Sequence, residues 1–278
     1  MEKNRDSHKI VAMCDYLDVS PSGYYDWRNR DTSDHAQYDE VLAAQIKETH
    51  VGHKRNYGAV RVHPYLKSLG YSCSRRRINR LMQVNGIKSI YHAYRQRRAS
   101  GSSSLVAENV LATQDKAIAF GEHWAGDMTY LKTGEGPMYM AAVLDLFTRK
   151  VIGWGFSRYH DTDLVSGALK MSLISESVKV GCIFHSDQGS EYCSEAYQRI
   201  VTNAGMVSSM SRAGTPTDNA YVESFFKTLK NELAHHWKFR TMVECVARIV
   251  DYVEFYNEDR LHSSLNYVSP KTYQTKNA

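Results

Sequence analysis

Three strand-like runs that follow one another without an intervening helix constrain the fold of this chain most. Residues 124–132, 138–147 and 151–158 are rich in apolar and aromatic side chains, and a Gly-Glu-Gly-Pro turn separates the first two runs. Helical and strand patterns then alternate: a helix at 161–177, a strand at 182–185, a helix at 195–204 and a short strand at 207–210. An antiparallel meander followed by this alternation predicts an α/β fold, a mixed five-stranded sheet with helices on both faces.

Three acidic residues occupy positions that such a core can bring together. Asp127 lies in the first predicted strand, Asp187 follows the strand at 182–185, and Glu223 lies in a helical stretch 36 positions after Asp187. Buried carboxylates repel one another, so three at one site need a compensating cation, for which Mg²⁺ is the natural candidate. Two such ions can activate a water or a 3′-hydroxyl and stabilise the leaving oxygen of a phosphodiester.

Each of these residues also has an ordinary structural interpretation. The two aspartates can be turn residues at strand ends, and a glutamate early in a helix is usually a cap or a partner of the helix dipole. A capping box needs Ser or Thr three positions before the glutamate, and Ala220 occupies that position. The caps would then be Asp218 or Asn219. Taken together, the three carboxylates favour a metal site.

Three sequence strings resemble a known family. They are HSDQGSEY at residues 185–192, TDNAYVESFFKTLKNE at 217–232 and YNEDRLHSSLNYVSP at 256–270. These strings closely resemble the OrfB-type DDE transposases of two-frame bacterial insertion sequences, whose catalytic core is similar to that of retroviral integrase. The N-terminal third also resembles the helix-turn-helix segments of that family. The resemblance implies an RNase H-like core preceded by an all-α helix-turn-helix region.

The resemblance also implies roles for individual residues. Asp127, Asp187 and Glu223 would be the catalytic residues and the metal ligands, with Mg²⁺ as the cofactor and Mn²⁺ as its substitute. Lys230 occupies the family's basic position, seven residues after Glu223, and Lys227 continues the same helical stripe. The two lysines are expected to bind the DNA backbone; the alternative is a surface ion pair with a glutamate.

Three further polar residues near these motifs have open interpretations. His185 is two positions before Asp187, so it faces the same side of the strand, where it would either position the scissile phosphate or fill the core. Asn219 is a candidate supporting residue at the start of the Glu223 helix. Asp145, in the second strand, is either a fourth carboxylate or a partner of Arg149.

The function implied by the resemblance is DNA transposition. The enzyme would cleave the ends of an insertion sequence in a metal-dependent reaction and transfer the freed 3′-hydroxyl to a second DNA strand. Two ends and a target imply a homo-oligomer on DNA, and an upstream-frame product or fusion is a possible further partner. Two alternatives remain open: an RNase H-like nuclease without joining activity, and a non-catalytic DNA-binding regulator.

The distribution of charge indicates a nucleic-acid partner. The net charge is only +5, yet residues 1–104 carry 18 Lys and Arg against 10 Asp and Glu, whereas residues 105–278 carry 17 against 20. Residues 54–98 contain 12 basic residues and no acidic one. Such a stretch would repel itself unless a polyanion met it, and DNA fits best.

The basic stretch contains a helix-turn-helix pattern. One helix ends near Leu69, and Ser74 is a plausible N-cap of a second helix, although Pro64 implies that the first helix is kinked or begins late. The second helix has an apolar face and carries four arginines that are expected to contact DNA in the major groove. These arginines are Arg75, Arg76, Arg77 and Arg80.

Composition divides the chain into a helical DNA-binding region at 1–98, a linker at 99–118 that begins with Gly and Ser residues, and a catalytic core with C-terminal helices at 119–278. The five cysteines form no C-x-x-C pair, so neither a zinc knuckle nor a disulfide framework is expected. An odd cysteine count without a signal peptide favours a reducing bacterial cytoplasm and a nucleoid-associated protein. No apolar run approaches the ~18 residues of a membrane helix.

Overall fold

The computed structural model describes residues 1–29, 33–90, 106–114, 116–212 and 219–277. Its centre is a five-stranded sheet with the strand order β3-β2-β1-β4-β5. The strands are β1 (His123–Thr133), β2 (Gly136–Asp145), β3 (Val151–Ser157), β4 (Ile183–Ser186) and β5 (Val207–Met210). The first three pair antiparallel, whereas β4 and β5 add parallel to β1 and to each other. The predicted mixed five-stranded sheet and its initial meander are confirmed.

Helices cover both faces of this sheet. Those of the core are α6 (Thr162–Ser175), α7 (Glu195–Asn203), α8 (Ala220–Leu229), α9 (Met242–Glu258) and α10 (Pro270–Lys276). Successive side chains of β1 point to opposite faces. Trp124 therefore packs in one cluster with Leu164 of α6 and Tyr197 of α7, while Ala125 packs in a second cluster with Phe225 of α8. The two layers confirm the predicted architecture.

The chain begins with a helical region of five helices. They are α1 (Ile10–Tyr16), α2 (Pro21–Asn29), α3 (Asp34–Gly52), α4 (Ala59–Ser68) and α5 (Arg75–Val84). The predicted cap of α5 is confirmed, because the Ser74 hydroxyl accepts from the N–H of Arg77. Ile78, Leu81 and Met82 are buried and fasten α5 to the rest of the region, so the helix presents its remaining, arginine-rich face outward.

Two details of the helical region differ from the sequence expectation. Pro64 lies inside α4, which begins five residues earlier at Ala59, so the helix does not begin late. The proline simply supplies no N–H at its position. The apolar pattern of residues 34–50 predicts a helix with Val41, Leu42 and Ile46 on one face, but Val41 is 50% exposed while the other two are fully buried. One-residue steps on a helix rotate by about 100°, and this places Val41 beyond the edge of the buried stripe.

The helical region docks against the C-terminal helices of the core. The buried apolar residues of α3, α4 and α5 belong to the same hydrophobic cluster as those of α8 and α9. The hydroxyl of Tyr57, a fully buried residue, donates to the carbonyl of Asp259 at 3.1 Å and accepts from the N–H of Leu261 at 2.8 Å. The ammonium of Lys54 donates to the carbonyl of Asp251 at 3.3 Å. Side chains of the helical region thus bind backbone groups in the middle of α9 and just after its end.

The predicted linker at 99–118 is described only in part, since residues 99–105 and 115 lie outside the described residues. The described part is attached to the sheet. The N–H of Leu111 donates to the hydroxyl of Ser209 at 3.1 Å, and the N–H of Met210 donates to the carbonyl of Glu108 at 3.3 Å. Residues 108–111 therefore use the open edge of β5, whereas composition had placed them in the linker.

All five cysteines are free, and four of them are buried. None of the helices in the described ranges is long and apolar enough to cross a bilayer.

The contact between β3 and α6 yields a test of the fold. A Cβ added at Gly153 would lie 2.3 Å from the carbonyl oxygen of Ala168, a backbone atom, whereas a Cβ at Gly167 of α6 would meet nothing within 4 Å. We expect Gly153→Ala to destabilise the protein by about 1–3 kcal/mol through overpacking. The matched control Gly167→Ala should stabilise it by about 0.4–1 kcal/mol. Urea unfolding measures both, and an unchanged midpoint for Gly153→Ala would contradict this close approach.

Candidate active site

Asp127 lies in the middle of β1, paired with Ala142 of β2. Alternation along the strand places its side chain on the same face as Ala125, which packs in the cluster of α8 and α9. One carboxyl oxygen accepts from the N–H of Met128 at 2.7 Å. The carboxyl group is thus held by the strand itself and faces the layer that contains Glu223.

Asp187 follows β4, the strand that pairs parallel with β1. Its Oδ1 accepts from the N–H of Gly189 at 2.9 Å, which closes a tight turn. A Cβ at Gly189 would lie 2.3 Å from Oε1 of Glu191 and 3.0 Å from Oδ1 of Asp187. A larger residue at this position would therefore displace the carboxylate side chains on either side of it.

Glu191 is a carboxylate of this neighbourhood that the sequence analysis missed. It is buried, and its Oε1 lies 3.8 Å from Nε2 of His160. It lies in the string HSDQGSEY, four residues after Asp187, which was the available signal. Asp187 and Glu191 are brought together by a turn and not by a regular strand or helix. The periodicity of the sequence therefore did not predict that their side chains lie close to each other.

Glu223 lies in the first turn of α8 and is partly buried. The helix is tied to β1 by Asn219, whose side-chain nitrogen donates to the carbonyl of Gly126 at 3.1 Å. Asn219 is buried and occupies the predicted N-cap position of α8, but its side chain makes no capping bond to the helix. The other candidate cap, Asp218, lies outside the described residues. Asn219 therefore anchors the start of α8 one residue away from Asp127.

The carboxylates influence one another electrostatically. The pKa of Asp127 is raised to about 8, mainly by burial and then by the negative charges of Asp187 and Glu223. The N–H of Met128 and the positive charge of Lys230 oppose this shift. Burial also raises the pKa of Asp187, and Glu191 adds to this effect. Because Asp187 and Glu223 both act on Asp127, the structure brings the three carboxyl groups into one acidic neighbourhood.

The three carboxylates do not form a closed cage of metal ligands. Within the part of the chain that the structure describes, no three Asp, Glu, His or Cys side chains are grouped closely enough to hold one ion. Mg²⁺ is commonly bound by one or two protein carboxylates together with waters and substrate phosphate oxygens, so a closed cage is not required. The donors are hard carboxylate oxygens, which fit a divalent cation.

The two lysines of the predicted stripe have different surroundings. Lys227, on α8, is exposed. Lys230 begins a π-helical turn, Lys230–Ala234, that directly follows α8. Burial lowers the pKa of Lys230, and the nearby carboxylate of Asp127 opposes this shift. Lys230 therefore lies near the carboxylate of Asp127, whereas Lys227, one turn after Glu223 on α8, is exposed to solvent.

His185 is a buried core residue of the neighbouring strand. It is fully buried, its Nδ1 lies 2.9 Å from the hydroxyl of Ser209, and its Nε2 lies 3.0 Å from the hydroxyl of Ser211. Both ring nitrogens are thus engaged by the chain's own side chains, in or just after β5. This arrangement favours the core interpretation over a contact with the scissile phosphate.

Asp145 has neither of its expected roles. It is fully buried, and its carboxyl group accepts from the N–H groups of Gly121, Phe147 and Thr148 and from the Thr148 hydroxyl. Arg149 instead lies over the ring of Tyr221, 3.6 Å from its centre. Asp145 caps the turn after β2, and the four hydrogen bonds provide the stabilisation that a metal or an arginine would otherwise supply.

The four predicted DNA-contacting arginines fall into two groups. Arg77 donates to Asp39 at 2.6 Å and to the carbonyl of His35 at 3.0 Å, and Arg80 donates to the same carboxylate. Arg75 and Arg76 are exposed. Asp39 of α3, which lies outside residues 54–98, thus neutralises part of the charge of this basic stretch. The argument that the stretch would repel itself unless a polyanion met it was therefore too strong.

Comparison with known proteins agrees with this arrangement. Residues 119–216 and 204–270 each match an integrase core domain family, and residues 37–97 match an HTH-like domain family. The chain is 39% identical over 242 residues to the transposase for insertion sequence element IS904 of Lactococcus lactis subsp. lactis (strain IL1403), which covers 86% of this chain and 95% of that protein. It is 35% identical over 285 residues to the transposase InsF for insertion sequence IS3A of Escherichia coli (strain K12), covering 100% and 98%.

An integrase core with an HTH-like region before it defines a polynucleotidyl transferase that acts on DNA. Given the identity along nearly its whole length, the chain belongs to the family of insertion-sequence transposases of the DDE type. The resemblance of its three motif strings, and the DNA transposition that it implied, are confirmed. Among solved structures, the chain is similar to the HTLV-2 integrase catalytic core domain in complex with magnesium, with 14% sequence identity and a TM-score of 0.46. The match covers 56% of this chain and 98% of the HTLV-2 chain. This similarity is too distant to inform the site.

Two neighbouring arginines should respond differently to replacement. Arg77→Ala removes a charge-assisted hydrogen bond to the partly buried carboxylate of Asp39, so it should lower the free energy of unfolding by about 1.5–3 kcal/mol. Arg76→Ala should change that free energy by less than about 0.5 kcal/mol. If Arg76 reads a base, its loss should weaken binding to the cognate DNA end by about 1–3 kcal/mol. Urea unfolding and titrations on cognate and scrambled duplexes measure these quantities; an equal loss of stability in both variants would refute the grouping.

Proposed function

We propose that this transposase cleaves insertion-sequence ends and joins the freed 3′-hydroxyl to target DNA in a divalent-metal-dependent reaction, with Asp127, Asp187 and Glu223 as the catalytic carboxylates. The observation that carries the proposal is the convergence of these three carboxyl groups on one neighbourhood of the core. Three separate elements, β1, the turn after β4 and α8, supply one carboxylate each, and Asp187 and Glu223 both act on the pKa of Asp127. Such a group of acids is stable in its charged form only with a cation among them.

The three carboxylates are the groups that would hold the metal ions, Mg²⁺ foremost and Mn²⁺ as a substitute. A bound pair of such ions supplies Lewis-acid stabilisation of the attacking and leaving oxygens of a phosphodiester. The chain's own contribution is orientation. The N–H of Met128 holds one oxygen of Asp127, the N–H of Gly189 holds one of Asp187, and Asn219 anchors the helix of Glu223 to β1. Each carboxyl group is thereby positioned before substrate arrives.

The surrounding basic residues are proposed to hold DNA. Lys230, half-buried next to Asp127, would contact the phosphate nearest the carboxylates, and Lys227 would contact the backbone further along. Arg75 and Arg76, exposed at the start of α5, are the better candidates for groove contacts. Arg77 and Arg80 would act chiefly by fixing α5 to α3 through Asp39. Two DNA ends acted on together imply a homo-oligomer on DNA.

Removal of single carboxylates tests the proposed site. Asp127→Asn, Asp187→Asn and Glu223→Gln should each reduce cleavage and joining by at least about 10²-fold, the usual cost of losing a group that stabilises the transition state. Affinity for end DNA should stay near that of the wild type, because the carboxylates do not contact the phosphate backbone. Asp163→Asn, an exposed carboxylate in the first turn of α6, is the matched control and should retain activity. Substantial activity in all three site variants would refute the assignment.

The metal and the joining step can be tested with the wild-type protein. Chelation should abolish activity, and Mg²⁺ or Mn²⁺ should restore it, whereas Ca²⁺ should support DNA binding without chemistry because its looser shell positions the nucleophile poorly. An oligonucleotide with a free 3′-hydroxyl should be joined to a target strand. Cleavage without joining would instead indicate the nuclease alternative, and binding without either step would indicate the regulator.

A further inference from the structure

A π-helical turn lies between the proposed active site and a buried ionic cluster. It comprises Lys230–Ala234 and continues α8 directly, so it follows the helix that carries Glu223. Such turns are rare and are frequently found at functional sites. Lys230, its first residue, lies close to Asp127. Glu232, two residues later, is almost completely buried and points to different partners.

Glu232 is surrounded by three donors. Arg260 contacts both of its oxygens, with distances of 2.9 to 3.2 Å. The hydroxyl of Tyr252 on α9 donates to it at 2.9 Å. The third partner is Arg61, whose guanidinium lies 3.3 Å away. One carboxylate thus compensates two guanidinium groups in the interior, and its position is determined from several directions.

Arg61 connects this ionic cluster to the helical region. Arg260 and Tyr252 belong to the same C-terminal part of the core as Glu232, but Arg61 lies on α4 of the helical region, 171 residues away in sequence. Two residues before α4 provide neighbouring contacts with α9: Tyr57 with its C-cap Asp259, and Lys54 with Asp251 in its middle. The helical region therefore contacts, through Arg61, the turn that begins with Lys230.

We propose that Glu232 is a positioning residue, which holds the π-helical turn so that Lys230 stays beside Asp127, and that Arg61 makes this position depend on docking of the helical region. The inference deepens the proposed function, on which it rests. Lys230 would occupy its place next to the carboxylates only while the region that recognises DNA is seated on the core. Glu232 itself touches no substrate and acts through Lys230.

Arg61 is the informative residue to change. Replacing Glu232 would leave two buried guanidinium groups without a counter-charge and would endanger folding. Arg61→Gln leaves the Arg260 and Tyr252 contacts in place, and Arg61 is 20% exposed against 4% for Arg260. Lys67→Gln, which removes one positive charge from an exposed position of the same helix, is the matched control.

The first readout is the rate of joining at saturating DNA. We expect Arg61→Gln to reduce that rate at least about fivefold, the lower range of coupling between distant sites, with the affinity for end DNA and the melting temperature close to those of Lys67→Gln. Arg61→Lys should recover part of the loss. In the Lys230→Ala background, Arg61→Gln should have little further effect, since both changes act on the same group. Multiplicative losses, or a loss confined to DNA affinity, would overturn the inference.

The second readout does not depend on catalysis. Amide hydrogen exchange on the full chain should increase in residues 230–236 of Arg61→Gln, while exchange in β1 and β2 stays at the wild-type level. Unchanged exchange in 230–236 would overturn the inference even if activity fell. A wild-type protein that neither cleaves nor joins DNA would refute the proposed function, and the exchange experiment would still decide whether Arg61 holds the turn.

Discussion

Mutual repulsion among carboxylates in a partly buried space is the constraint around which the core of this transposase is arranged. Such a cluster exists only if rigid elements hold each acid against the repulsion. β1 and β4 are adjacent parallel strands, so Asp127 and Asp187 arrive from the centre and the end of neighbouring strands. The helix of Glu223 is then anchored to β1 by Asn219. The sheet supplies a rigidity that a loop could not provide.

Ion pairs between arginines and acidic side chains explain much of the remaining arrangement of the helices. The basic stretch of the helical region contains no acid of its own, yet three of its arginines are compensated by acids from elsewhere in the chain. Asp39 on α3 pairs with Arg77 and Arg80, and Glu232 pairs with Arg61. These contacts fix α5 against α3 and the helical region against the core. They also leave Arg75 and Arg76 as the exposed arginines at the start of α5.

Much of the fold could be predicted because its elements follow local periodicity. All five strands occur within two residues of the expected spans, and the serine cap of α5 occurs as expected. The roles of single polar residues were harder to predict from the sequence. Asp145 and His185 were both candidates for the site, and both are held by hydrogen bonds within the core. A single buried polar residue looks the same in sequence whether its partners are substrate or protein, so only the partners distinguish the two cases.

The sequence by itself determined the order of strands and helices along the chain, the spacing of the three acidic residues and the protein family. It could do so because periodicity and motif spacing are local properties of the chain. The tertiary structure decided which charges are available. Arg76 and Arg77 are adjacent in sequence, yet one is exposed and the other is bound to Asp39, 38 residues earlier. Glu232 likewise obtains its partners from positions 171 residues before it and 28 residues after it. Electrostatic interaction depends on distance in space, and a pattern along the chain does not contain that distance.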